Sequence, residues 1–506
     1  MTDKRSATVW TFVVTSITAF MVALDNLVVT TALPQIRDDL GAGLEGLEWV
    51  VNAYTLPFAV LLLTGAALGD RLGRRAVFAT GLGVFTLGSL GAALAPSIEA
   101  LIAARAMQGV GAALVLPLSL TLLSAAVPPE RRGAALGVWG AMSGLAVAVG
   151  PLVGGAITEG ASWQWIFWLN VPIGLVTVPL ALRRLTESRG PAGRLDLPGV
   201  AIISAGLLGV TLGLVRGESH GWTSPAVLTS LLAGAAGVGA FIAWERRVAR
   251  RGGSPMLPMA LFRRRGFAAV NAVSLLFSVG MFGSIFLLAQ ALQNVFDYSP
   301  LEAGIRTLPW TAMPLLIAPI AGPLSDRIGG RPLIVAGMAI EAVSLAWLAT
   351  ILDTGADYAG LVPPFVLAGV GMALFFVPVA SVALGSVPAE QEGLASGTNN
   401  AMRELGGVLG VAVLASVFAA NGGYGSPGAF VDGTRPALWV GAAVLLTAAA
   451  VATLLPSPTR TAAPARTAAS ATPAAPATPA AAATPAAAAT PAAPRALPVV
   501  GRPSSV

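Results

Sequence analysis

The sequence contains no cysteine and a single histidine, His220, which excludes disulfide bonds, thiolate chemistry and metal sites built from several histidines. Lys4 is its only lysine, so the chain cannot form a nucleotide-binding P-loop, whose lysine holds the phosphates. Charged residues are also scarce, at 11% of 506 residues compared with about 25% in soluble domains. Because 55% of the residues are hydrophobic, we expect a chain whose outer surface faces lipid rather than water.

Long apolar runs take the place of the missing charge, and fourteen of them approach the roughly 20 residues that a membrane-spanning helix needs. Their predicted bounds are 9–33, 47–69, 76–95, 98–125, 133–157, 163–182, 198–215, 225–244, 267–292, 302–323, 332–352, 361–386, 394–420 and 436–455. Arginines such as Arg75, Arg132 and Arg247 gather in alternate loops, which the positive-inside rule places in the cytoplasm. The sequence therefore predicts an all-α, multi-pass protein of the cell membrane with both termini in the cytoplasm.

An internal repeat indicates how these runs are organised. The segment 109–114 resembles 369–374, and Asp70-Arg71 after the second run resembles Asp326-Arg327 after the tenth. Each pair is eight runs apart and lies on one side of the membrane, as expected for two parallel six-span halves separated by two inserted spans. The predicted division is 1–183 for the N-terminal half, 184–265 for the inserted spans 7 and 8 with basic loops, 266–455 for the C-terminal half, and 456–506 for a disordered Ala/Pro/Thr-rich cytoplasmic tail.

The loop after the second run carries a distinctive glycine and arginine motif, which spans residues 65–75. Together with the repeat, this motif resembles the loop 2–3 signature of the major facilitator superfamily, and residues 9–455 resemble its fourteen-span drug:proton antiporter branch. The resemblance implies the major facilitator fold, with two six-helix bundles plus two inserted helices. It also implies a cytoplasmic gate formed by Gly65, Gly69, Asp70, Arg71, Gly73, Arg74, Asp326 and Arg327.

Charged residues inside apolar runs are the candidates for proton coupling, because an intramembrane charge is costly and is usually functional. Asp25 lies within the first run, where burial disfavours the charged form of a carboxyl and suits it to load and release a proton. The resemblance implies that Arg105 takes part in the coupling. For both residues the alternative is a structural pairing with a polar neighbour. Glu341, near the middle of the eleventh run, is either a further proton or cation site or a carboxyl kept neutral by apolar surroundings.

The fifth run resembles the signature that separates exporters from importers within the family. Its residues are Gly137, Ala146, Gly150, Pro151, Gly154 and Gly155, with alanine at 146 where the family has glycine. Small residues at helical spacing allow close packing, and Pro151 permits a kink. The resemblance therefore implies export.

Polar residues within the runs are candidates to line a central cavity, namely Asn26, Asn52, Tyr54, Gln108, Asn399 and Asn400. The segment 163–174 resembles the start of the sixth span in the family, and we interpret it as structural. Arg403 and Glu404 are expected to form a local ion pair on the cytoplasmic side.

These features predict a proton-driven antiporter that exports amphiphilic small molecules, such as drugs or antibiotics, by alternating access. An exporter dedicated to one metabolite or self-made antibiotic is the alternative. A membrane-embedded enzyme or a receptor fits less well, because intramembrane acids are sparse and His220 lies in a loop. We expect a monomer whose partners are protons, a small-molecule substrate and the lipid bilayer, with no cofactor, metal or nucleic acid.

Overall fold

The computed structural model describes residues 2–189, 196–253, 255–387 and 391–456, and within these ranges the regular structure is helical. The predicted tail lies outside the described residues from position 457 onward. The α-helices are α1 (Thr2–Leu40), α2 (Leu44–Leu72), α3 (Arg74–Ala93), α4 (Ile98–Ala126), α5 (Pro129–Gly160), α6 (Trp165–Trp168), α7 (Asn170–Arg184), α8 (Leu197–His220), α9 (Pro225–Arg250), α10 (Arg265–Asn294), α11 (Pro300–Thr311), α12 (Met313–Ile328), α13 (Gly330–Ile351), α14 (Tyr358–Gly385), α15 (Glu392–Asn421) and α16 (Pro427–Ala452). A short 3-10 helix, Leu261–Arg263, precedes α10.

Thirteen helical segments within the described ranges are long and apolar enough to cross a membrane, counting α6–α7 and α11–α12 as one segment each. The remaining long helix, α5, has 32 residues. At a rise of about 1.5 Å per residue, it is longer than the roughly 30 Å hydrocarbon core of a bilayer. Counting α5, fourteen helical crossings follow one another along the chain, and the predicted all-α, multi-pass architecture is confirmed.

Two of the predicted spans are interrupted where a proline removes a backbone donor. The run 302–323 is divided between α11 and α12 at Ala312, two residues before Pro314. The sixth span is divided between α6 and α7 at Leu169, shortly before Pro172. Proline has no N–H to continue the helical ladder, which accounts for a break at these two places, although α2 and α4 continue through Pro57 and Pro117. The second interruption places Asn170 at the start of α7.

The internal repeat extends from the sequence to the packing of helices. A Cβ on Gly111 of α4 would lie 2.7 Å from the carbonyl oxygen of Gly81 on α3. In the same way, a Cβ on Gly371 of α14 would lie 2.6 Å from the carbonyl oxygen of Gly337 on α13. Both helix pairs therefore approach through facing glycines, which is the small-residue packing common between membrane helices.

The helices form two groups that meet at several contacts. In the first group α2 and α3 pack on α4 and α1 packs on α5; in the second, α10 packs on α15 and α16 and α13 packs on α14 and α16. The groups meet where α5 contacts α11 and where α2 contacts α15. The inserted pair α8–α9 packs together, and α8 touches both α2 and α15. Below, the side that carries the α1–α2 loop is called the predicted outer side, and the opposite side the predicted inner side.

Candidate functional site

The two charged residues predicted from the early apolar runs lie in direct contact. The Arg105 guanidinium, on α4, donates from Nη1 to Oδ2 of Asp25 on α1 at 2.5 Å. Both side chains are closed to solvent, with 0% and 1% exposure. An isolated buried charge is very costly, so each of these groups depends on the other to remain charged in the helix bundle.

Three further polar residues complete a network around the carboxylate. Asn170 Nδ2 donates to Asp25 Oδ1 at 2.8 Å, and Gln108 Nε2 donates to the same oxygen at 3.1 Å. Ser89 Oγ accepts from both amides, at 2.9 Å and 3.0 Å, and donates to the carbonyl of Phe167 at 3.2 Å. The network thus joins α1, α3, α4, α6 and α7. All of these side-chain contacts donate to the carboxylate, which is the pattern that suits its ionised form.

Aromatic and backbone contacts hold the guanidinium in place. The ring of Tyr54 lies under Arg105, with its centroid 4.3 Å from Cζ, and the ring of Phe167 lies at 5.7 Å. Arg105 Nε donates to the backbone carbonyl of Val50 at 3.2 Å, and Nη1 also donates to Gln108 at 3.0 Å. Cation–π contacts in a desolvated site add to the ion pair. The position of Arg105 is therefore tied to α2 as well as to Asp25.

A narrow cavity lies between the two groups of helices, on the side of α1 that faces away from Asp25. It is lined by Asn26, Leu27, Thr30, Val51, Thr55, Phe282, Ile285, Phe286, Glu404, Gly407 and Val411. Its free space of about 20 Å³ has room for a single water molecule. The lining is mostly apolar, with Glu404 as its carboxyl group. Such a cavity, once opened, fits an amphiphilic molecule.

Among the six candidates for cavity lining, the structure places Asn26 in the cavity. Gln108 lies in the Asp25 network, and Tyr54 packs beneath Arg105 while its hydroxyl donates to the Val22 carbonyl at 3.3 Å. Asn52 is fully buried on α2, one position from the cavity-lining Val51.

The two candidates on α15 also lie elsewhere. Asn399 is buried against α10 and donates to Ser274 Oγ at 2.8 Å. Asn400 accepts a hydrogen bond from Arg403 at 3.2 Å, and the Arg403 guanidinium lies 4.7 Å from the ring centroid of Phe376. Glu404 instead lines the cavity. Arg403 and Glu404 thus contact different groups, although their opposite charges still act on each other, and the expected ion pair stays a prediction.

Glu341 is separate from both the network and the cavity. Its side chain is fully buried on α13, and neither carboxyl oxygen has a hydrogen-bond partner. Its Cβ packs where α14 approaches most closely, at Gly371. A charged carboxylate without partners in such a place is very costly, so the geometry favours the second of the two interpretations, a neutral carboxyl in apolar surroundings.

The glycines of the fifth-run motif form the contacts of α5 with two other helices. A Cβ on Gly150 would lie 2.9 Å from Cβ of Leu27, and one on Gly154 would overlap the Thr31 hydroxyl, so these glycines admit α1. A Cβ on Gly155 would overlap the backbone oxygen of Pro300 at the start of α11.

The remaining motif residues agree with this arrangement. The backbone of Pro151 faces Gly304 on α11, and Ala146 is fully buried. Gly137 lies on α5, at a position whose burial is not described. The motif thus supplies the close α5–α11 contact between the two groups of helices.

The residues of the predicted gate contact other elements of the first group. Gly65 and Gly69 face α4, where Cβ atoms would overlap Ala113 and Leu118. Asp70 pairs with Arg74 at 2.8 Å, and Gly73 has a positive φ of 118° that favours glycine.

A residue outside the motif completes this loop. Glu187, after α7, accepts from the backbone amides of Arg75 and Ala76 at 2.9 Å and 3.2 Å and so caps α3. Arg71 and Arg327 are exposed, and the side chain of Asp326 is not among those described. Whether these residues act as a gate remains a prediction.

Comparison with known proteins assigns the chain to a family. The profile described as Major Facilitator Superfamily matches residues 15–313 and 270–498. The chain is 39% identical over 462 residues to the cephamycin export protein CmcT of Amycolatopsis lactamdurans, covering 90% of this chain and 94% of that protein. It is 37% identical over 412 residues to the multidrug resistance protein Stp of Mycobacterium tuberculosis, covering 81% and 76%.

A solved structure of a bacterial homologue of the human lysosomal transporter Spinster, described as inward-facing and unoccupied, has a TM-score of 0.62. It shares 16% identity with this chain and covers 88% of it and 96% of the solved chain. At this identity the likeness shows the fold alone. The chain belongs to the major facilitator superfamily. It is a multi-pass membrane transporter of small molecules and not an enzyme.

Proposed function

We propose that the protein is a proton-coupled exporter of amphiphilic small molecules in the cell membrane, with both termini in the cytoplasm and a monomer as the working unit. The observation that carries this proposal is the enclosed Asp25–Arg105 pair on one face of α1, while Asn26 on another face lines the cavity. The names of the relatives, which describe export and resistance, support the outward direction of transport and the class of substrate.

Coupling between proton and substrate runs through α1 in this proposal. Protonation of Asp25 removes its charge and leaves the Arg105 cation without a counterion, so the contacts among α1, α3, α4 and α7 must rearrange. Because α1 also lines the cavity, this rearrangement changes the shape of the substrate site. Asp25 itself lies outside the cavity lining, which favours coupling through conformation over direct competition for one carboxyl.

The α5–α11 contact is the part of the structure that opens and closes during transport in this proposal. Beside the close approach of Gly155 and Pro300, Thr311 Oγ1 donates to the Ala148 carbonyl at 3.1 Å and Glu159 accepts from the Leu301 amide at 3.0 Å. Opening the predicted outer side requires these contacts to separate. The halves that move are proposed to be 1–183 and 266–455, with 184–265 as the insertion.

Transport into proteoliposomes tests this function. A pH gradient imposed across the membrane is expected to drive accumulation of ethidium, an aromatic cation, and dissipating the gradient with a protonophore should abolish it. Gradient-independent accumulation would contradict proton coupling.

The breadth of the substrates is tested separately, by growing an efflux-deficient host that expresses the protein on a panel of toxic compounds. Protection against several unrelated amphiphiles supports a multidrug exporter. Protection against a single compound supports an exporter dedicated to one substrate. The relative CmcT is named as such a protein, a cephamycin exporter.

A further inference from the structure

A face of α2 near the predicted outer side carries two buried polar side chains whose hydrogen-bonding capacity is unmet. Glu48 is 2% exposed, and its Oε2 has no partner. Asn52 is 0% exposed, and neither its amide nitrogen nor its oxygen has a partner. Residues four apart lie on one face of a helix, so the two groups form one column. Buried polar groups normally have partners, and those that do not often serve a functional path.

On the predicted outer side the two groups of helices meet through Arg37 and Tyr424. The guanidinium of Arg37, near the end of α1, lies 4.4 Å from the ring centroid of Tyr424 in the α15–α16 loop. The Tyr424 hydroxyl donates to Gln290 on α10 at 2.5 Å. Nη1 of Arg37 is also buried without a partner. A further tie between the groups is the bond from Gln293 Nε2 to the Thr31 carbonyl, at 2.9 Å.

The electrostatics connect Glu48 to this closure. Burial raises the pKa of the Tyr424 hydroxyl, Arg37 opposes that rise, and the negative charge of Glu48 adds to it. The other acid near this end of α2 is Glu45, which is partly exposed and pairs with Arg216 of α8 at 3.0 Å. Glu48 therefore lies within electrostatic reach of Tyr424 and of Glu45.

Near the inner end of the column, neighbouring residues of α2 line the central cavity. Val51 and Thr55, on the neighbouring positions of α2, both line that cavity, together with Thr30 of α1 and Glu404 of α15. The column of Glu48 and Asn52 thus occupies the stretch of α2 between the Arg37–Tyr424 contact and the cavity.

We propose that Glu48 is the carboxyl that takes up the coupling proton on the predicted outer side and releases it along α2, past Asn52, into the central cavity. The proposal rests on the proton-coupled export described above. When the Arg37–Tyr424 contact opens, outside water protonates the Glu48 carboxylate. When the contact closes, burial keeps the carboxyl neutral, and the proton leaves Glu48 for water in the cavity once the predicted inner side opens and hydrates it, which restores the carboxylate. Asn52, with a free donor and a free acceptor, orders the water that carries the proton.

The test compares driven transport with exchange in the intact protein. Proteoliposomes containing wild type, Glu48→Gln, Glu48→Asp or Glu45→Gln are assayed for ethidium transport driven by a pH gradient, over a series of pH values on the outer-facing side. The same vesicles are assayed for exchange of labelled against unlabelled ethidium without a gradient, which needs no net proton movement. Glu45→Gln is the matched control, because it changes the same group on the same helix at the partly exposed position.

We expect Glu48→Gln to slow driven transport by about tenfold and to flatten its dependence on outer pH, while exchange continues. Glu48→Asp should restore part of the pH dependence, and Glu45→Gln should behave as wild type. A wild-type pH profile in Glu48→Gln would overturn the proposal, and so would equal loss of driven transport and exchange in both Glu48 variants, which indicates a structural role. If Asp25→Asn abolishes driven transport while Glu48→Gln does not, the assignment of Glu48 fails and the proposed function stands.

Discussion

The Nη1 atom of Arg105 lies 2.5 Å from Oδ2 of Asp25, and both side chains are buried. Asp25 also accepts hydrogen bonds from Gln108 and Asn170, so its charge is compensated by one cation and two amides. Three helices, α1, α4 and α7, contribute these side chains, and a change in the charge of one carboxyl must alter the contacts of all three. This relationship leads to the first two predictions.

Replacing the titratable carboxyl should uncouple transport. Asp25→Asn keeps the shape of the side chain but removes titration, and we expect it to abolish gradient-driven ethidium transport while membrane insertion and some substrate binding persist. It also leaves the Arg105 cation buried without a counterion, at a cost of about 3–5 kcal/mol in free energy of unfolding. Asp25→Glu should retain partial activity, and Asp432→Asn, at an exposed position, is the control. Full driven transport by Asp25→Asn would show that another group carries the coupling proton, with Glu48 as the next candidate.

Removing the cation should be more destabilising than removing both charges. Arg105→Gln leaves the Asp25 carboxylate buried without a counterion, which costs about 3–5 kcal/mol in free energy of unfolding. The double variant Asp25→Asn/Arg105→Gln has no unpaired charge and should recover much of that loss, without regaining driven transport. Thermal unfolding of the purified proteins in detergent measures the difference. A double variant less stable than Arg105→Gln would show that the pair does not depend on charge compensation.

The carboxyl in the cavity should select for positively charged substrates. Glu404 lies among apolar side chains such as Phe282 and Phe286, where it can compensate the charge of a bound cation. We expect Glu404→Gln to reduce transport of ethidium by about tenfold relative to a neutral substrate of similar size. Glu341→Gln is the matched control, because Glu341 is buried between α13 and α14 and should affect neither compound. Equal effects on cationic and neutral substrates would remove Glu404 from substrate recognition.

A methyl group at the α5–α11 contact should hold the predicted outer side open. Gly155→Ala places a Cβ against the backbone oxygen of Pro300, whereas Gly160→Ala on the same helix meets open space. Because the native chain has no cysteine, Thr31→Cys provides a single label in a buried position of α1. We expect Gly155→Ala to increase labelling from the outer side and to slow transport by about tenfold, with no change for Gly160→Ala. Unchanged labelling in both would show that this contact does not control opening.

Much of the fold could be predicted from local patterns in the sequence. Apolar runs predict the spans, and the glycine repeats predict the matched helix pairs, because both depend on local composition. The network around Asp25 was only partly predictable. Asp25 and Arg105 stand out as charges within apolar runs, whereas Ser89 and Asn170 are neutral polar residues whose importance depends on which helices meet.

The direction in which a side chain points from its helix was the second feature that the sequence could not predict. Glu404 and Arg403 are adjacent in sequence and suggest a pair, yet helical geometry sends one to the cavity and the other to Phe376. Glu48 lies at the edge of its run, where an acid is unremarkable until burial is known. The sequence does carry a signal for Glu48 and Asn52, because the two residues are four positions apart and fall on one face of the helix 44–55, close to Val51 and Thr55.

Because of the position of the inserted helices, the two flanks of the transporter expose different surfaces to the lipid. The α8 helix touches both α2 and α15, and Ser416 of α15 donates to the Leu214 carbonyl at 2.8 Å, so the hairpin screens that junction from the acyl chains. On the opposite flank, side chains of α12 such as Leu316 and Ile320 are 62% and 64% exposed. A compound dissolved in the lipid would therefore meet a screened junction on one flank and an apolar helix surface on the other.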